Sequence, residues 1–150
     1  MAEFVLERRM TLRLPRKKIF DFFADAGNLE RITPPQLNFH IITPLPVDLK
    51  EGALIEYDLV LRGFPIRWRT LISKWNPPFE FVDEQIKGPY KQWIHQHVFT
   101  ELAGGETEIK DFVRYRLPFE PLGDVMHFLV RKELERIFDF RQKAVEEILS

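Results

Sequence analysis

Residues 93–99, WIHQHVF, place two histidines and two large aromatic rings at alternate positions. If this segment is a β-strand, Trp93, His95, His97 and Phe99 all lie on one face. Two imidazoles on an otherwise apolar face have several chemical uses. They can serve as a general base, hold a metal ion, orient a bound molecule, or form a buried polar network.

Two acidic residues are expected beside these histidines. Taking the apolar positions of each neighbouring strand as inward-facing brings Asp83 and Asp111 to the same face. Three-residue turns on both sides of the histidine strand pair Asp83 with His95 and His97 with Asp111. A two-residue slip would instead pair His95 with Asp111. In either register the sequence predicts an Asp beside a His on a largely apolar wall, and these four residues are the candidate catalytic set.

The same strand parity also points Phe79 inward and supplies the candidate ligand-binding residues. On the strands these are Tyr57, Trp68, Phe81, Gln85, Trp93, Phe99 and Tyr115. His127 and Arg141 join them, because both fall within the apolar stripe of the C-terminal helix at 100° per residue. A buried arginine is costly unless a carboxylate meets it, and Asp83 and Asp111 are the candidates.

The elements that must position these residues follow from periodicity and turn residues. Residues 3–14 resemble an edge strand, Pro15 is well placed to begin a helix, and a second short turn runs to Ile32. Six strand candidates separated by short Gly- and Pro-containing turns occupy residues 37–117. Residues 122–149 are amphipathic and helical. The sequence predicts an α+β fold, with about seven antiparallel strands curved around a long C-terminal helix.

Composition limits the classes of function. A chain of 150 residues that is 45% hydrophobic suits one folded domain, residues 1–150. The 22 basic and 23 acidic residues give a net charge of -1, which argues against nucleic acid. No apolar run is long enough to span a bilayer, and the first ten residues lack an apolar export core. The chain has no cysteine, which excludes disulfides and thiol catalysis. We expect a cytoplasmic protein.

Several stretches resemble the SRPBCC superfamily of START, polyketide-cyclase and pollen-allergen-like helix-grip domains. The similar stretches are PRKKIFDFFADAGNLERITPP, GFPIRWRTLI, FVDEQIKGPYKQWIHQHVF, DFVRYRLP and IFDFR, and the nearest likeness is to a bacterial branch labelled cyclase/dehydrase-like. The resemblance implies a sheet that grips the C-terminal helix, with an apolar cavity between them. It assigns no catalytic residue, because this scaffold carries lipid carriers, hormone binders, cyclases and chaperone regulators.

The function predicted from these observations is binding of a small hydrophobic or aromatic molecule in that cavity. One alternative is a polyketide cyclase or dehydratase with an Asp–His general base, in which Tyr57, Tyr115 or Arg141 stabilises an enolate. Another is a non-catalytic regulatory or partner-binding domain whose cavity is largely filled. The histidines could also be only a buried polar network.

A metal site formed by His-x-His and one Asp is the least favoured use of these residues. We expect no metal and no cofactor. The identity of the ligand and the oligomeric state stay open at this point.

Overall fold

The computed structural model describes residues 2–119 and 122–149, and its main feature is an antiparallel sheet. Its seven strands are β1 (Phe4–Leu12), β2 (His40–Ile41), β3 (Leu54–Leu61), β4 (Phe64–Asn76), β5 (Glu80–Lys87), β6 (Gln92–Glu101) and β7 (Thr107–Arg116). They are ordered β1-β7-β6-β5-β4-β3-β2. Consecutive strands from β2 to β7 are neighbours, and β1 closes the other edge by pairing with β7.

Helices lie at two points in the chain. After β1 come α1 (Arg16–Phe23) and two 3₁₀ helices, Ala26–Ile32 and Pro35–Leu37. Pro15 precedes α1, whose buried side chains are Ile19, Phe20, Phe22 and Phe23. After β7 come α2 (Leu122–Val125) and the long α3 (His127–Leu149). Among the described residues, none of the helices is long and apolar enough to cross a membrane.

Tight turns hold the strands in register. Arg62 and Gly63, between β3 and β4, both have positive φ, at 52° and 81°. Two such residues make the mirror-image turn that matches strand twist. The turn after β6 is closed by the amide of Leu102 donating to the Glu106 carbonyl at 2.8 Å. The register predicted for the central strands is confirmed, since Asp83 pairs with His95 and His97 pairs with Asp111.

The core lies between the concave face of the sheet and α3. From the helix, Val130, Leu134, Phe138 and Val145 are buried. From the sheet, every odd-numbered residue of β6 and β7 from Trp93 to Phe99 and from Thr107 to Tyr115 is buried. The helix-grip fold class predicted from the sequence is confirmed. The inward direction of both histidines, 5% exposed each, is confirmed with it.

Three local predictions were wrong. The strand expected over residues 37–44 is only two residues long, because Leu37 ends a 3₁₀ helix and Asn38 turns left-handed. The C-terminal helix is interrupted at Met126, between α2 and α3. Phe79 is 46% exposed instead of inward, since it precedes the first residue of β5 and packs under the Arg16 guanidinium.

Candidate functional site

A cavity of about 190 Å³ lies between the sheet and α3. Aromatic rings form much of its wall on the sheet side, while Leu134, Ile137 and Phe138 close it from α3. The sheet-side aromatic residues are Phe39, Tyr57, Trp68, Phe81, Tyr90 and Trp93. The polar residues in the lining are Thr70, Asp83, His95, His97 and Arg141, with Thr33 at the 3₁₀ helices. An apolar chamber with a few convergent polar groups is the usual form of a small-molecule site.

The two histidines bond to carboxylates on opposite neighbouring strands, and they do so diagonally. His97 Nε2 lies 2.5 Å from Asp83 Oδ2, although Asp83 stands opposite His95 in the ladder. His95 Nε2 lies 2.8 Å from Asp111 Oδ1, although Asp111 stands opposite His97. The imidazoles stack between these contacts, with ring centroids 3.7 Å apart. The four side chains thus form one crossed network across β5, β6 and β7.

Protonation in this network follows from burial and charge. Burial, and the neighbouring His95, lower the pKa of His97 to about 4, so this imidazole is neutral at pH 7. Burial alone would raise the pKa of Asp83, but His97, with smaller contributions from His95 and Arg141, outweighs it, and the pKa lies below its usual value. An ionised carboxylate only accepts hydrogen bonds. His97 therefore donates through Nε2–H to Asp83.

Arg141 supplies the positive charge beside this network. Its Nη2 atom lies 3.7 Å from Asp111 Oδ1, and its side chain is 13% exposed. Burial would raise the pKa of Asp111, but Arg141 first and His95 second hold this pKa well below its usual value. The guanidinium also lies over the ring of Phe23, 5.3 Å from its centroid. The expectation that a carboxylate meets the inward arginine is confirmed, with Asp111 as the partner.

Hydroxyl and indole groups form the polar edge of the aromatic wall. Tyr57 Oη lies 3.3 Å from Thr70 Oγ1. Burial is the main reason that the pKa of Tyr57 is raised well above its ordinary value, so this phenol keeps its proton. The indole N–H of Trp68 is buried with no hydrogen-bond partner among the described residues, and the Trp93 ring lies edge-on at 5.6 Å.

The structure brings most of the candidate site residues to the cavity. The lining includes three of the four candidate catalytic residues, Asp83, His95 and His97, while Asp111 lies behind the histidines. Of the candidate ligand-binding residues, Tyr57, Trp68, Phe81, Trp93 and Arg141 are in the lining.

Four candidate ligand-binding residues lie outside the described lining. Phe99 and Tyr115 are buried in the packed core, at 1% and 0% exposure. Gln85 holds the β5–β6 turn through its amide: it donates to the Tyr90 carbonyl at 2.7 Å and accepts from the Tyr90 amide at 3.0 Å. His127 stacks on Phe4 of the edge strand at 3.5 Å, with Nε2 2.7 Å from Tyr115 Oη.

Sequence reasoning missed the residues that the short elements bring to the cavity. Tyr90 lines it from the β5–β6 turn, and Ala26, Leu29, Ile32 and Leu37 line it from the 3₁₀ helices. Strand parity carries no information about turn residues or 3₁₀ helices, so it could not identify them. An aromatic residue directly after the turn dipeptide Gly88-Pro89 was the one available signal.

Asp83, His95 and His97 also have the donor types of a metal site, with ligand atoms all within 4.8 Å of one another. In this structure each histidine contacts a carboxylate through Nε2. The Nε2 atoms bond to β5 and β7 on opposite sides of β6, and Nδ1 of His97 lies 3.6 Å from Asp111.

The fold and the cavity define a helix-grip protein with an internal apolar chamber. The Zhui aromatase/cyclase of Streptomyces sp. R1128 superposes with a TM-score of 0.76 at 14% identity, covering 96% of this chain and 92% of that one. A START superfamily protein of Mycobacterium smegmatis gives 0.70 at 11% identity, covering 96% and 98%. The protein TTHA0849 of Thermus thermophilus gives 0.76 at 15% identity, covering 95% and 94%.

These similarities concern the fold. No family model matches the sequence, and no curated protein matches it. The resemblance predicted from the sequence is therefore confirmed at the level of structure, and function has to be argued from the site.

Proposed function

We propose that this protein binds a small, mainly apolar molecule in the cavity between its sheet and α3. The observation that carries the proposal is the cavity itself, about 190 Å³ of space among buried aromatic and aliphatic side chains. An apolar cavity of about 150 Å³ is known to accept a single benzene ring, so this one suits a compact body of one or two rings. The START and cyclase names among structurally similar proteins support the same class.

The open space is also what favours binding over a purely structural or partner-binding domain. In a domain with a filled core, Phe and Trp side chains would occupy the region between Trp68, Trp93 and Phe138. Closely packed cores leave few voids larger than one water molecule. Ligand binding therefore explains why so much aromatic surface surrounds unfilled volume. A cytoplasmic placement, which the lack of cysteine supports, belongs to the same proposal.

Native mass spectrometry of freshly purified protein tests the proposal, followed by ligand-observed NMR with a panel of one- and two-ring aromatic compounds. Leu59 lines the cavity and is 8% exposed, whereas Leu54 on the same strand is 50% exposed. Leu59→Trp should fill the cavity and remove both the co-purified mass and the NMR signal. Leu54→Trp should leave both unchanged. Equal binding by the two variants would place the ligand elsewhere, and no binding by wild-type protein would refute the proposal.

A second candidate function is proton abstraction next to a carbonyl group, as a cyclase or dehydratase would need. It is favoured by one observation: neutral His97, oriented by ionised Asp83, lies in the cavity wall. Such a pair is the arrangement of a general base. The test is hydrogen–deuterium exchange at the carbon beside the carbonyl of 1-tetralone, followed by proton NMR in D₂O. Catalysed exchange that His97→Asn abolishes would support it, and exchange no faster than in buffer would oppose it.

A further inference from the structure

The polar wall of the cavity and the network behind it contain two carboxyl groups, Asp83 and Asp111, and one guanidinium, Arg141, among the described residues. Asp83 and Asp111 are both ionised, Arg141 is the one guanidinium beside them in the described part of the chain, and His97 is neutral. Asp83 hydrogen-bonds to the uncharged imidazole of His97, whereas Arg141 faces Asp111. A buried carboxylate is stabilised by a cation beside it, so a bound molecule that brings a positive charge to Asp83 would be stabilised.

We propose that the cavity ligand carries a protonated amine that pairs with the Asp83 carboxylate, on an apolar body held by the aromatic wall. This inference rests on the binding function proposed above and specifies its ligand class. Asp83 is the group of the network most open to a ligand: its side chain is 20% exposed, against 6% for Asp111 and His97 and 7% for His95. Asp83 is also one of the residues that line the cavity.

The aromatic lining near Asp83 supports a cation. Tyr57, Trp68, Tyr90 and Trp93 form a continuous group of rings, with centroids 4.8–6.0 Å apart between neighbours. All four line the cavity. Aromatic faces attract organic cations, and groups of aromatic rings recognise ammonium ligands. The negative charge of Asp83 acts on this group of rings, since burial first and the Asp83 charge in addition raise the pKa of Tyr57.

An anionic ligand fits the same wall poorly. Arg141 is the only arginine or lysine among the described lining residues, and it already faces Asp111. A carboxylate bound to Arg141 would have to displace that interaction while lying close to two other carboxylates. Like charges at such distances in a poorly solvated site repel strongly. Charge therefore separates amines from acids of the same shape.

Three probes that share a naphthalene ring test this inference: 2-naphthylmethylamine, 2-naphthylmethanol and 2-naphthoate. Calorimetric titration should show the amine binding wild-type protein about tenfold more tightly than the alcohol, because charge-assisted hydrogen bonds are roughly twice as strong as neutral ones. The naphthoate should bind most weakly. Asp83→Asn should remove about tenfold from amine affinity and change alcohol affinity by less than about threefold.

Asp58→Asn is the matched control, because Asp58 pairs with Arg67 on the outer face of the sheet at 3.0 Å. It should leave the affinities of all three probes unchanged. The order of the probes on wild-type protein needs no variant, so a poorly folded Asp83→Asn would not weaken the test. If the alcohol equals the amine, or the naphthoate binds best, the amine assignment is overturned while cavity binding stands. If no probe binds, both the proposed binding function and the amine assignment are refuted.

Discussion

Replacing Arg141 by Met should destabilise the protein far more than the same change elsewhere on α3. The substitution keeps the apolar stem but leaves Asp111 and Asp83 without their nearby cation. At 3.7 Å and an effective dielectric constant of about 20, the Arg141–Asp111 attraction is about 4.5 kcal/mol. The variant no longer has to bury a charged guanidinium, and the desolvation cost that is avoided offsets part of this lost attraction. We therefore expect a net loss of about 3 kcal/mol, within the usual range for breaking a buried ion pair.

Urea denaturation at pH 7 measures this loss, and the melting temperature should fall by about 10 °C for a chain of this size. Arg136→Met is the matched control, because Arg136 is exposed on the same helix. Its effect should be below about 0.5 kcal/mol. The double variant Arg141→Met/Asp111→Asn should recover at least about 1 kcal/mol of the additive loss, as expected for side chains in direct contact. Equal losses for the two arginines, or strictly additive effects in the double variant, would refute the electrostatic reasoning.

Three further predictions concern the groups around the cavity. The pKa of His97 is lowered to about 4 in the folded protein, so the unfolded chain binds more protons below pH 6.5, and stability should fall by up to about 1.4 kcal/mol per pH unit between pH 6.5 and 4. His97→Asn should flatten the urea-derived stability over that interval, and an unchanged profile would show that His97 is not the titrating group. Phe99→Ala should cost about 3–5 kcal/mol, because Phe99 is 1% exposed in the core; a loss below about 1 kcal/mol by urea denaturation would contradict that packing. Gln85→Ala should cost about 1–3 kcal/mol by removing both hydrogen bonds to the Tyr90 backbone, and it should also weaken ligand binding. Stability and affinity that match wild-type values would show that the turn holds Tyr90 without Gln85.

The sheet was predictable because local rules determine it. Alternation in residues 93–99 fixes which side chains face inward, and turn length then fixes their register to the neighbouring strands. Both rules depend only on the chain near each hairpin. These two rules are enough to place Asp83, His95 and Asp111 on one face of the sheet, as the structure has them.

The hydrogen bonds among these groups were not predictable in the same way. Ladder register names the residue directly opposite, but a diagonal neighbour is also within reach of an imidazole. His95 stacks on His97, and each ring bonds to the diagonal partner. Only side-chain packing decides this choice, and a list of strand pairs does not contain it.

His127 shows a second limit of sequence reasoning. Its angle on the helix places it in the apolar stripe, and it is indeed half-buried. It lies at the start of α3, where the stripe passes over the edge strand, so it stacks on Phe4 and contacts Tyr115. A helical wheel gives direction around the axis but not position along it. The helical wheel predicted the inward position of Arg141 correctly, because that residue lies farther along α3, beside the His–Asp network.

The carboxyl, imidazole and guanidinium groups of the chamber and its network are unevenly distributed along the chain. Asp83, His95, His97 and Asp111 lie on two consecutive hairpins, and only Arg141 comes from a distant part of the sequence. A graft of residues 80–116 into another helix-grip protein would therefore transfer these two carboxyl groups and two imidazoles as one continuous segment. The recipient would accept it only with a basic residue at the helix position that corresponds to 141. A final helix without that basic residue would leave the carboxylates of the two hairpins without their cation.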